Sequence, residues 1–142
     1  MKQIPEYIRV PASMGSLQTS LAFVRFCLAS QGIGEARLRE VELAMEEILV
    51  NIFRYAYAGR NGEVEIACRL EGGGRTLVEV ADRGIPFDPL SHQDPDLRAG
   101  IEERKIGGLG VFFVKQLVPD VRYRREGERN ILTLPIEADP ML

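Results

Sequence analysis

Long apolar runs are missing from this sequence. No stretch approaches the roughly 18–20 consecutive apolar residues that a membrane-spanning helix needs, so no membrane partner is expected. The opening residues MKQIPEYIRVPA carry charges and prolines where a secretory leader carries its apolar segment, and a cytoplasmic location is expected. Basic excess is also missing: 18 Lys and Arg stand against 21 Asp and Glu, a net charge of −3. That balance argues against direct nucleic-acid binding, which needs clustered cationic side chains. Cysteine is scarce. Cys27 and Cys68 each sit in an apolar-patterned segment and read as buried small hydrophobes rather than a disulfide or metal pair. The single histidine, His92, falls in a proline-rich stretch and reads as a surface-loop residue. There is no GxxxxGK[ST] phosphate loop, no dinucleotide fingerprint, no internal repeat and no linker. What remains is an ordinary globular composition, 45% apolar and 27% charged over 142 residues, expected to form a single domain spanning 1–142 with a proper core.

Periodicity divides the chain. Ile4, Tyr7, Ile8 and Val10 form a short β-like run closed by Pro11, and Ser13 or Ser16 could cap the helix that follows. Leu17, Leu21, Val24 and Leu28 recur as one helical stripe, ended by Gly32 and Gly34. A second helix is expected from 35 to about 57, with Leu38, Val41, Met45, Ile48 and Ile52 as its core stripe. Glu47 lies roughly 100° from Ile48, at the edge between core and solvent. The period then becomes two: Val64, Ile66, Cys68 and Leu70 alternate with polar neighbours, glycines 72–74 make a hairpin, and the returning strand ends at Asp82. From 86 to 106 the pattern dissolves into a long Pro- and charge-rich loop with a possible short helix in LRAGIEERK. Loops of that length inside a compact domain are usually functional. Gly107 to Gly110 open a third helix over 111–117, stopped by Pro119, and a second hairpin turns at Gly127. Phe53, Phe112 and Phe113 are read as core. The order predicts an α+β fold: a two-layer sandwich with a mostly antiparallel or mixed sheet and helices on one face.

Three segments carry chemistry. Glu47 and Asn51 project from one helix face a turn apart. An amide oxygen suits a hard cation that keeps phosphate ligands, and the carboxylate could act as a general base in phosphoryl transfer; the plainer alternative is a solvated helix face. Asp82, at a strand end in DRGIPFDP, could accept a hydrogen bond from an exocyclic amine, with Gly84 letting a base approach the backbone. Alternatively DxG is a common strand-to-turn sequence. Gly107-Gly108-Leu109-Gly110 before a helix exposes N–H groups that suit phosphate oxygens, and Arg104 and Lys105 could reach phosphate too; a hinge with a helix cap, preceded by solvated loop charges, is the alternative.

In conjunction the segments say more. A helix with ExxxN, a strand ending in DxGxP, a long loop and then GxG opening a helix resembles the GHKL, or Bergerat-fold, ATPases. EEILVNIFRYAY, DRGIPFDP and GGLGVFFVKQL on so short a chain resemble the anti-sigma-factor serine kinases of bacterial partner-switching systems, from the first strand to the last hairpin. The resemblance implies ATP and Mg²⁺ as ligands. It implies Glu47 as catalytic base, Asn51 as Mg²⁺ ligand and Asp82 on the adenine amine with Gly84 beside the base. Gly108, Leu109 and Gly110 would line the phosphates, with Arg104 and Lys105 near them, under an ATP lid at about 90–107. It implies a Ser/Thr protein kinase that phosphorylates a STAS-type anti-anti-sigma protein, a sigma factor as a further partner, and a homodimer formed through the first strand and helix. A non-catalytic ATP-dependent anti-sigma module and a relative that has lost nucleotide are the alternatives. With no His-bearing dimerisation helices, autophosphorylation on histidine is not expected. Tyr55 departs from the pattern, standing where many relatives carry His; that position lies outside the ExxxN pair, so the departure is expected to leave the ATP assignment intact and to bear on the partner-facing surface.

Overall fold

The structure, a computed structural model, describes residues 6–88, 90 and 108–138, with backbone alone for 108–112. The chain runs β1 (Glu6–Pro11), α1 (Leu17–Ser30), α2 (Glu35–Asn51), β2 (Glu63–Glu71), β3 (Arg75–Asp82), α3 (Gly108–Leu117), β4 (Arg122–Glu126) and β5 (Arg129–Glu137). The strands form one sheet in the order β1-β2-β3-β5-β4, and every pairing is antiparallel. The expected α+β class is what is observed. Among the described residues no helix is long and apolar enough to cross a membrane.

Alternation along the strands sends Val10, Val64, Ile66, Val78, Val80, Leu132, Leu134 and Ile136 to one face, where they share a core with the apolar stripes of the helices. All five residues expected on the α2 stripe are buried, and so are Leu17, Val24 and Leu28 of α1. Burial of each such aliphatic side chain is worth roughly 1.5–3 kcal/mol. Helix α1 ends at Gly32 (φ 86°), where Ile33 N–H reaches back to the Leu28 carbonyl and Gly32 N–H to that of Ala29. This left-handed C-terminal motif is why glycine stands there. Cys27 and Cys68 are buried across the α1–sheet interface with no disulfide between them, and burial pushes both thiols above the usual cysteine range.

The opposite face of the sheet carries ion pairs. Glu79 sits between Arg69 (2.8 Å) and Arg124 (3.3 Å), and Glu65 between Arg9 (3.1 Å) and Arg129 (3.2 Å). Ala81 and Ile131 belong to this face by register yet are buried. Arginine stems can shield apolar surface while their heads stay wet.

Three local expectations differ from the structure. Neither Ser13 nor Ser16 caps a helix through its side chain. A 3₁₀ turn at Met14–Ser16 runs straight into α1, so Ser16 is already helical (φ −89°, ψ −6°), and its hydroxyl donates to the Pro11 carbonyl at 2.7 Å. Second, the α2 helix does not continue regularly to Tyr57: its α-geometry stops at Asn51 and a π-turn occupies Ile52–Ala56. Third, Phe113 is 52% exposed rather than core, while Phe53 packs half-buried against the core; the Phe112 side chain lies outside the described residues.

Candidate functional site

A pocket of about 220 Å³ opens between the end of α2, the sheet and the segment after β3. Its walls are largely apolar, including Ile48, Val80 and Leu132, and Asn51, Asp82 and Asn130 punctuate them, with Tyr55 and Tyr123 adding hydroxyls. An apolar cleft with few convergent polar groups is the usual form of a small-molecule site.

Asp82 reaches the pocket because of strand parity. Thr76, Val78, Val80 and Asp82 alternate onto the helix-facing side of β3, and the carboxylate at the strand end is only 6% exposed. Its Oδ1 accepts the Gly84 N–H at 2.8 Å and an Asn130 Nδ2 hydrogen at 2.9 Å. Oδ2 has no partner among the described residues. Gly84 has a definite steric reason to be glycine: a Cβ there would fall 2.2 Å from the Ala56 carbonyl oxygen. That carbonyl, at the end of the π-turn, accepts the Ile85 N–H at 2.9 Å, so the segment after β3 is seated on the end of the α2 extension. π-turns of this kind are frequent at functional sites. Tyr57 ties the same corner together: its hydroxyl donates to the Glu63 carbonyl at 2.5 Å and accepts the Arg83 N–H at 2.8 Å.

On the helix side, Asn51 is the last α-helical residue of α2. It lines the pocket half-buried, and its amide has no hydrogen-bond partner among the described residues. Glu47, one turn earlier, is exposed, unpaired among the described residues, and outside the pocket lining. Tyr55 lines the pocket, so it belongs to this wall rather than bearing only on a partner-facing surface. Gly108, Leu109 and Gly110 form the first turn of α3 itself, not a loop ahead of it. The first amide groups of a helix lack internal acceptors, so the backbone there still offers N–H donors. At the other end of α3, Arg37 on α2 donates to the Leu117 carbonyl at 2.6 Å. Arg104, Lys105, His92 and most of the expected lid lie outside the described residues.

Among the described residues no group of three or more His, Cys, Asp or Glu side chains could hold a metal ion. A lone, unpaired amide at the pocket wall fits Mg²⁺, which keeps most of its ligands from phosphate and water. It does not fit a cation caged by protein.

Four participants escaped the sequence reading: Tyr57, Tyr123, Arg125 and Asn130. A signal existed for three of them. Asn130 shares strand parity with Leu132, Leu134 and Ile136, and Tyr123 and Arg125 share the inward parity of β4.

Comparison with known proteins gives the family and the fold. The family model of the histidine kinase-like ATPase domain matches residues 10–136. The chain belongs to that family. The serine-protein kinase RsbW of Listeria monocytogenes is 28% identical over 136 residues, covering 91% of this chain and 80% of its own. The serine/threonine-protein kinase BtrW of Bordetella bronchiseptica is 27% identical over 107 residues, covering 74% and 75%. Among solved structures, the RsbU and RsbW domains of Rv1364c from Mycobacterium tuberculosis superpose with a TM-score of 0.66 at 21% identity, over 95% of this chain and 32% of that longer one. The blue-light activated histidine kinase EL346 of Erythrobacter litoralis gives 0.56 at 18% identity, over 87% and 40%. Both share the fold of this histidine kinase-like ATPase domain.

Proposed function

We propose that this ATPase-family domain binds Mg²⁺–ATP in the pocket between α2 and the sheet. It transfers the γ-phosphoryl group to a serine or threonine of a STAS-type anti-anti-sigma protein, and it also engages a sigma factor. The observation that carries the proposal is the conjunction of two polar groups on one apolar cavity: a carboxylate with one oxygen open and an amide with no partner. Asp82 Oδ2 accepts a hydrogen from the purine amine. Asn51 offers its amide oxygen to Mg²⁺, whose charge offsets that developing on the phosphates. Glu47 orients the attacking hydroxyl and takes its proton as the oxygen bonds to the γ-phosphorus; the bond to the β–γ bridging oxygen breaks and ADP leaves. The N–H groups at the start of α3, with Arg104 and Lys105, bind phosphate oxygens, and residues at about 90–107 close over them. The kinase names of the RsbW and BtrW relatives support the choice of reaction. A cytoplasmic homodimer built through β1 and α1 completes the reading.

The test is to mix the chain with a STAS-domain partner and Mg²⁺–ATP and to locate phosphate by mass spectrometry. Phosphoserine or phosphothreonine on the partner is expected. One observation favours a second reading, in which ATP only orders the domain for sigma-factor capture: Glu47 lies outside the pocket lining. ATP-dependent capture of a sigma factor with an unmodified STAS partner would select that reading over the first.

A further inference from the structure

Asn130, the second residue of β5, stands directly opposite Asp82 in the register of the sheet. It points to the helix-facing side and is 6% exposed. A polar amide buried among apolar strand positions is costly unless its hydrogen-bonding capacity is used. Here all of it is. The two Nδ2 hydrogens go to Asp82 Oδ1 and to the Ile85 carbonyl, each at 2.9 Å. Oδ1 accepts from the Tyr123 hydroxyl at 2.6 Å, from an Arg125 guanidinium nitrogen at 3.1 Å and from Phe87 N–H at 3.4 Å. Turning the amide over would set its oxygen against two acceptors and its NH₂ against three donors, so the surroundings dictate one orientation. Arg125 extends the network by donating to the Gly84 carbonyl at 3.1 Å.

Two consequences follow from this hub. Three backbone groups of the segment after β3, those of Gly84, Ile85 and Phe87, are held by side chains of β4 and β5. In addition, Asp82 Oδ1 is saturated by Gly84 and Asn130, leaving Oδ2 as the one carboxylate oxygen available to the cavity.

We propose that Asn130, held by Tyr123 and Arg125, is the positioning residue that makes this pocket select 6-amino over 6-oxo purines, an inference that rests on the nucleotide reading above. Asn130 touches Asp82, not the base. By occupying Oδ1 it fixes the carboxylate so that Oδ2 meets ligand position 6 as an acceptor. A purine amine donates to that oxygen; a purine carbonyl would oppose it, acceptor to acceptor, between largely apolar walls. Without the amide the carboxylate is free to turn, its bond to the purine amine weakens, and the discrimination between the two purines falls.

The experiment compares Mg²⁺–ATP and Mg²⁺–ITP binding by calorimetry for the wild type, Asn130→Ala and Tyr123→Phe. Thermal melts of each unliganded protein report folding. The wild type prefers ATP. Asn130→Ala is expected to shrink the ATP-to-ITP affinity ratio about tenfold, chiefly by weakening ATP, with ITP affinity kept within about twofold. Tyr123→Phe removes one donor to the Asn130 oxygen and keeps the ring; it is expected to shrink the ratio about two- to threefold. Parallel loss of both affinities in either variant, or an unchanged ratio, would overturn the positioning role. If Asn130→Ala fails to fold, the ratio for Tyr123→Phe decides alone. Failure of the wild type to bind either nucleotide would defeat the nucleotide reading itself, a result distinct from wild-type selectivity that the variants leave untouched.

Discussion

The two ends of the pocket are built on opposite plans. At the sheet end, Asp82, Asn130, Tyr123, Arg125 and the Gly84 backbone form a connected network that leaves Asp82 Oδ2 as its open carboxylate oxygen among the described residues. At the helix end, Asn51 lines the cavity and Glu47 stands one turn away outside the lining, neither with a partner among those residues. The sheet end is preorganised before any ligand arrives, the arrangement suited to recognition, because the cost of orienting its groups is met in folding. On the proposed reading the helix end is completed by the bound nucleotide and metal, the arrangement suited to chemistry, since groups that change partners during a reaction cannot be locked to protein.

That contrast can be broken in three places and checked against a remote control. The largest effect is expected at the helix end: Glu47→Ala should slow phosphoryl transfer to a STAS partner by roughly 10²–10⁴-fold while ATP affinity stays within about twofold. Single-turnover rates with parallel calorimetry would check it, and equal losses in both would erase the distinction between the ends. Next, Asp82→Asn at the sheet end should weaken ATP binding about 10–100-fold, the loss associated with a hydrogen bond to a charged group, since the new amide can present a donor to a donor. Titration with adenosine alone, which reaches only this end, should register a comparable loss. Third, Gly84→Ala forces a Cβ against the Ala56 carbonyl oxygen. It should cost about 1–3 kcal/mol of stability by overpacking, read as a lower denaturation midpoint, and should weaken ATP as the Ile85–Phe87 segment shifts.

The smallest effect should come from a control remote from both ends. Arg25 on α1 bonds Glu35 and Glu42 of α2 and holds the Glu35 carboxyl below the usual glutamate range. A depressed carboxyl stabilises the fold above the ordinary glutamate pKa, and that contribution disappears as pH falls through the folded value. Arg25→Ala should therefore lower the melting temperature slightly at neutral pH and low salt. The difference should vanish in acid and shrink at high ionic strength, with nucleotide affinity unchanged.

Legibility in the sequence followed the range of the interaction. The glycine exit of α1, the apolar stripe of α2 and the hairpin at 72–74 are set by near neighbours, and they stood out. Asp82 was visible as a strand-end carboxylate because parity is local. Asn130 was not: beside the turn at Gly127 an asparagine looks like turn chemistry, and only the pairing of β5 with β3 makes it face Asp82. The π-turn after Asn51 escaped for a similar reason. Its residues keep a helical pattern, while the widened turn faces a segment some thirty positions later, through the Ala56 carbonyl and Gly84.

The sequence alone determined which elements form, which faces are apolar, and which residue types stand at the strand end and along the helix face, because these depend on backbone periods of 2 and 3.6 and on residues a few positions apart. Tertiary structure alone decided that the Asp82 carboxylate has one oxygen occupied and one open, and that the Asn51 amide has none of its groups engaged among the described residues. Whether a polar group is satisfied depends on partners brought across the sheet by strand register, a long-range pairing that no local pattern encodes.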